Sequence, residues 1–140
     1  MSRKRENVRQ CKAIRQLIDD NKYTKALELI DAIPLEEVGS LDDLYRYAEL
    51  YEKAERMDKK KEIFYHIYHR THSRYMLNRL LRLTIRMGDM EEARELYFAY
   101  EVAGPITLDT FELRYLLAKA EGEPPERLIQ ILEELKKEEY

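Results

Sequence analysis

The chain reads as an all-α protein, an α-solenoid of about four antiparallel helical hairpins, and three observations predict this. Glycine falls at the same place in two successive hairpins, Gly88 in Arg86-Met87-Gly88-Asp89 and Gly122 in Ala120-Glu121-Gly122-Glu123, 34 residues apart. A fixed period of that size is the mark of a repeat architecture. The turn candidate Asn21, in Asp19-Asp20-Asn21-Lys22-Tyr23, precedes Gly88 by 67 residues, and the midpoint of that interval falls at Glu55-Arg56, between two apolar-periodic stretches. The third observation is composition. The 140 residues are 38% charged and 44% apolar with only four Gly and four Pro, which suits long solvated helices and gives strands little support.

The spacing divides the chain into a basic arm, 1–5, and one repeat domain, 6–140, with hairpins at about 6–34, 41–71, 73–104 and 107–139. The first hairpin carries Val8, Cys11, Ile14, Leu17 and Ile18 on one helix and Tyr23, Ala26, Leu27, Ile30 and Ile33 on the next, and Pro34 ends it. Ser40-Leu41-Asp42-Asp43 reads as an N-cap with its capping box. The second hairpin then shows Leu44, Tyr47, Ala48, Tyr51 and Ala54 at helical spacing, a turn without glycine, and Ile63, Phe64, Ile67 and Tyr68. The third starts near Ser73 with Leu77, Leu80, Leu81 and Thr84, turns at Gly88-Asp89 and runs through Ala93, Leu96, Tyr97 and Tyr100 to Gly104-Pro105. The fourth places Leu108, Phe111, Tyr115 and Ala118 before Gly122, then restarts at Pro124-Pro125, where a first-turn proline sacrifices no hydrogen bond, with Leu128, Ile131, Leu132 and Leu135. Each hairpin leaves apolar surface for the next to cover.

Over almost its full length the sequence resembles the tetratricopeptide repeat family. In the third unit the family's turn glycine is Gly88, the small residue five places on is Ala93, the following aromatic is Tyr97 and the closing proline is Pro105. In the first unit Asn21 and Ala26 repeat the turn and the small residue. The sequence departs from the family's pattern at Leu81, where a small residue is favoured, at Lys60, near the second unit's expected alanine, and at the fourth turn, which carries an extra residue. The resemblance implies a right-handed superhelix whose first helices line a concave groove.

Chemistry excludes more than it suggests. No glycine-rich phosphate loop, nucleophile elbow or paired-cysteine zinc motif is present, so the expectation is a protein that is not an enzyme and takes no cofactor. His66, His69 and His72 lie three apart with Glu62 one turn before the first, and His66, His69 and Glu62 are weak candidates for a divalent metal. A single cysteine, Cys11, reads as a core thiol. Eleven tyrosines, among them Tyr47, Tyr51, Tyr68, Tyr97 and Tyr100, read as amphipathic core aromatics. There is no apolar run long enough for a membrane span and no secretory pattern, so a cytoplasmic location without membrane contact is expected.

Charge is segregated. From Ile63 through Gly88 there is no Asp or Glu, whereas Arg70, Arg74, Arg79, Arg82 and Arg86 give a local +5 inside a chain of net charge −3. At about 100° per residue Arg79, Arg82 and Arg86 share an arc of roughly 60° that includes Tyr75 and borders Asn78, opposite Leu77, Leu80, Leu81 and Thr84. The resemblance places Tyr75, Asn78, Arg79, Arg82 and Arg86 in the groove, beside Tyr45, Arg46 and Glu49 of the preceding first helix. The expected function is a scaffold or interaction module that grips an acidic peptide, a C-terminal tail or a partner helix through charge-assisted hydrogen bonds. Glu49 and Glu112 offer a competing reading, in which they neutralise Arg79 and Arg82 between repeats. Two rival functions are RNA contact through the arginines and the basic arm, and peptide sensing for a larger protein. The wide apolar arc of the last helix, with Leu128, Ile129, Ile131, Leu132 and Leu135, suits a second copy or a further repeat.

Overall fold

A computed structural model describes residues 2–138. Among them eight α-helices occur and no strand: α1 (Ser2–Asp19), α2 (Tyr23–Ala32), α3 (Leu41–Lys53), α4 (Met57–Thr71), α5 (Arg74–Met87), α6 (Met90–Val102), α7 (Leu108–Ala120) and α8 (Pro125–Glu138), with a short 3-10 turn at Leu35–Glu37. The arm side chains of Arg3 and Lys4, and residue 139 at the end of the fourth hairpin, lie outside the described residues. Two compact units divide the chain, one running to Thr71 and one from His72. In the first, α1 packs on α2, α2 on α3 and α3 on α4; in the second, α5 packs on α6, α7 packs on both, and α8 packs on α7.

Local chemistry places the four tight turns. Asn21, Glu55, Gly88 and Gly122 have φ of 60°, 59°, 79° and 77°, at intervals of 34, 33 and 34 residues. The next N–H in each turn reaches back five residues, Lys22 to Leu17 O, Arg56 to Tyr51 O, Asp89 to Thr84 O and Glu123 to Ala118 O, at 2.8 to 3.0 Å. The left-handed residue's own N–H reaches back three, so carbonyls that the ending helix would leave orphaned are satisfied. Glycine takes this φ without strain at Gly88, whereas Glu55 holds it against a cost of about 1–2 kcal/mol. The following helix starts two residues after Asn21, Glu55 and Gly88 but three after Gly122. Ala26 and Ala93, five residues past their turns, are fully buried.

Lys60 occupies the equivalent place in the second hairpin and is also buried. Its Nζ lies 2.9 Å from Glu52 Oε1 and 5.3 Å from the Phe64 ring centroid, so the long side chain carries its charge past the helix contact to a carboxylate near solvent.

The helix entry at Ser40 is half of what the capping-box pattern predicts. Ser40 Oγ accepts the Asp43 N–H at 3.4 Å, as an N-cap does. The Asp43 carboxylate is instead held by Arg15, with Nε 2.9 Å from Oδ1 and Nη2 3.3 Å from Oδ2, tying α3 to α1. Periodicity also extends too far at several places: Val8, Leu108 and Leu132 are exposed, and Ala54 lies past the end of α3 with its side chain outside the core.

Candidate functional site

The arginine-rich segment separates into structural and surface-facing members. Arg70 Nη2 donates to Leu35 O at 2.9 Å, pinning the 3-10 turn to α4. Arg74 Nε donates to Tyr100 O at 2.9 Å, and its guanidinium carbon lies 4.0 Å from the Tyr100 ring centroid, joining α5 to α6. Gly104 leaves room for this guanidinium, since a Cβ there would come within 2.8 Å of Arg74 Nη1 and the side chain would have to shift. Two of the five charges that the sequence groups together are therefore committed to packing.

The other three remain on the α5 face. Tyr75 is 62% exposed, and the Arg79 guanidinium carbon lies 5.8 Å from its ring centroid. Asn78 Oδ1 accepts from Arg82 Nε at 2.7 Å, one helical turn away, which fixes the guanidinium's orientation. Arg82 Nη2 also sits 3.2 Å from Glu112 Oε1 on α7, with the two side chains 37% and 55% exposed. Arg86, in the last turn of α5, is exposed. The competing reading is thus realised at Arg82, whose bridge to Glu112 is an open surface pair of about 0–1 kcal/mol.

The three predicted groove residues of the first unit lie on α3. Arg46 Nη1 is 3.6 Å from Asp19 Oδ1. Arg46 and Glu49 line a shallow depression with Ile18, Tyr23, Leu50 and Lys53, where the Lys53 ammonium stands 5.3 Å from the Tyr23 ring centroid. Tyr45 is half-buried.

The weak metal candidates do share a place. Glu62, His66 and His69 line a surface depression with Ile33, Pro34, Leu35, Glu36 and Tyr65. His69 stacks on Tyr65 at 6.3 Å between centroids, Glu62 lies 3.6 Å from Lys59 Nζ, and His66 Nε2 is buried without a hydrogen-bond partner among the described residues. Burial, then Arg70, lowers the His66 pKa. Among the described residues no three His, Cys, Asp or Glu side chains converge as a metal-binding group.

Sequence reasoning missed the polar ties that hold the hairpins. Arg56 Nη1 donates to Asp31 Oδ2 at 2.9 Å, and the Tyr51 hydroxyl donates to Oδ1 of the same carboxylate. The Arg56 bond, with help from Tyr51, holds the Asp31 carboxyl below its ordinary value despite partial burial. Arg114 Nε donates to Tyr97 Oη at 2.9 Å while its other nitrogens lie 3.5 Å from Glu101 and 3.4 Å from Glu134. Tyr47 does not carry its hydroxyl to solvent as an amphipathic aromatic would: the oxygen is buried with no close hydrogen-bond partner among the described residues, and burial, then the neighbouring Cys11, raises its pKa. Residues 20 or more apart in sequence make several of these contacts, so no local spacing announces them.

Between α7 and α8 an apolar cleft is lined by Leu108, Phe111, Glu112, Tyr115, Leu132 and Leu135. No helix among the described residues is long and apolar enough to cross a membrane. No family model, curated protein or solved structure matches the chain.

Proposed function

We propose that the chain is a non-catalytic interaction module of the tetratricopeptide type that binds an acidic peptide or carboxylate-bearing tail on the α5 face. The observation that carries this reading is the pre-oriented Arg82, held by Asn78 at 2.7 Å and facing an exposed carboxylate, beside Arg79 and the open Tyr75 ring. Glu112 stands in for a ligand carboxylate. Because its bridge is solvent-exposed, exchange for an external carboxylate costs little, and the incoming group meets a face of one charge sign. The Tyr75 ring supplies an apolar platform beside those charges.

A fluorescein-labelled glutamate-rich peptide with a free C-terminal carboxylate, titrated by anisotropy, tests the reading. The Arg79→Ala/Arg82→Ala protein is expected to lose at least about tenfold in affinity with a shallower salt dependence, and Glu112→Ala to bind more tightly than the parent. Equal peptide affinity in all three proteins defeats the proposal. A single-stranded RNA oligonucleotide that binds the parent more tightly than the peptide, and is lost with the two arginines, assigns the face to nucleic acid instead.

A further inference from the structure

We infer that the outer face of α6 docks an amphipathic helix of a partner protein, basic toward its C-terminal end and running antiparallel to α6. Ala93, Leu96 and Tyr100 turn one side of α6 into the core. At about 100° per residue, Glu91, Glu95, Phe98 and Val102 fall within an arc of roughly 60° on the opposite side. All four are exposed, Phe98 and Val102 by 69% each. They stand at i, i+4, i+7 and i+11, the spacing of a helix-contact seam, with acids in the first half and apolar side chains in the second. The two charges that flank the stripe are engaged elsewhere: Arg94 Nη1 lies 3.0 Å from Glu121 Oε1, and Glu101 Oε2 lies 3.5 Å from Arg114 Nη2 on α7.

The stripe's own charges select the occupant. An exposed phenylalanine and valine one turn apart suit any apolar surface, because apolar contact is non-directional. Glu91 and Glu95 turn away an anionic bilayer and the phosphates of nucleic acid. They also turn away the same stripe of a second copy. A parallel pair sets Glu91 beside Glu91 and Glu95 beside Glu95, and an antiparallel pair sets Glu95 against Phe98 and Glu91 against Val102. A helix with two apolar residues at i and i+4 and Lys or Arg at i+7 and i+11 matches all four positions when it runs antiparallel. Its apolar pair meets Val102 and Phe98, and its cations meet Glu95 and Glu91. Antiparallel packing also sets the positive end of each helix dipole beside the negative end of the other, and basic residues near the C-terminus of the incoming helix stabilise that helix itself.

A fluorescein-labelled helical peptide built on alanine and glutamine, with leucine at i and i+4 and lysine at i+7 and i+11, tests the docking by anisotropy. The parent is expected to bind it at least about fivefold more tightly than the same peptide with glutamine for lysine. A peptide with the leucine and lysine pairs exchanged should bind at least about threefold more weakly, because it meets the stripe only in the parallel direction. Phe98→Ala/Val102→Ala is expected to lose at least about tenfold in affinity with helical circular dichroism intact, since both side chains are exposed. Glu91→Lys/Glu95→Lys should lose at least about tenfold for the lysine peptide. Arg79→Ala/Arg82→Ala should bind that peptide like the parent, which separates this face from that of α5. A parent that does not distinguish lysine from glutamine in the peptide, or a Phe98→Ala/Val102→Ala protein that binds like the parent, overturns the proposal. Equal affinity for the exchanged peptide overturns the antiparallel orientation. Binding to phosphatidylserine vesicles, or self-association in sedimentation equilibrium, that the parent shows and Phe98→Ala/Val102→Ala loses also overturns the proposal, since lipid or a second copy then covers the face.

Discussion

Burial and the neighbouring Arg70 guanidinium hold the His66 imidazole below its ordinary pKa of 6.5, against smaller opposing effects of Glu36 and the Leu35 backbone. The unfolded chain therefore takes up this proton at a higher pH than the folded protein does. The stability due to a neutral His66 is complete above the unfolded value and is lost as pH falls from there through the folded one. His66→Phe is expected to flatten the change in urea midpoint between about pH 7.5 and about pH 5.5, relative to the parent. An unchanged difference between the two pH values refutes it. Lys60 gives a second test at this scale. Its ammonium is paired only where the side chain nears solvent, so Lys60→Met, which keeps volume and packing on Phe64, should change stability by less than about 1.5 kcal/mol. Glu52→Ala should cost more than Lys60→Met, because it leaves a buried ammonium without its carboxylate. Urea denaturation of the two variants gives the order directly.

The turn between α3 and α4 does the same work as the other three with a residue less suited to it. Glu55→Gly should therefore stabilise the protein by about 0.5–1 kcal/mol, since glycine removes the left-handed strain but adds entropy to the unfolded chain. Loss of thermal stability in this variant would show that the Glu55 side chain contributes more than the strain it imposes. Ala93→Leu tests the other half of the turn unit. Ala93 is fully buried, and the added volume should cost roughly 1–3 kcal/mol in urea denaturation. The turns were legible because they depend on local backbone chemistry: Gly88 and Gly122 announce themselves by residue type, Asn21 tolerates the left-handed region, and Glu55 was reached by spacing alone. The polar ties were not legible. A carboxylate such as Asp43 looks the same in sequence whether it closes its own cap or crosses to Arg15, because the choice is set by which helix packs alongside. The α5 face was half legible for the same reason. Helical periodicity grouped Tyr75, Asn78, Arg79, Arg82 and Arg86 and left Arg70 and Arg74 outside the arc, but only three-dimensional packing shows that those two hold backbone carbonyls and that Arg82 meets Glu112.

Across the whole molecule the apolar core is distributed unevenly among the helices, and stability should follow it. In the second unit α5 buries Met76, Leu77, Leu80, Leu81, Leu83 and Thr84, whereas α8 contributes Ile131. In the first, α3 buries Leu44, Tyr47, Ala48, Leu50 and Tyr51, whereas α1 contributes Cys11 and Ile14. Local opening costs most where many apolar contacts must be broken, so native-state hydrogen exchange should rank α5 above α8 and α3 above α1. Leu80→Ala is correspondingly expected to cost about 2–5 kcal/mol and to accelerate exchange throughout the second unit. Leu135→Ala, at a half-buried site, should cost less and act mainly on α8. Fast exchange in α5 together with slow exchange in α8 would break this dependence of local stability on burial.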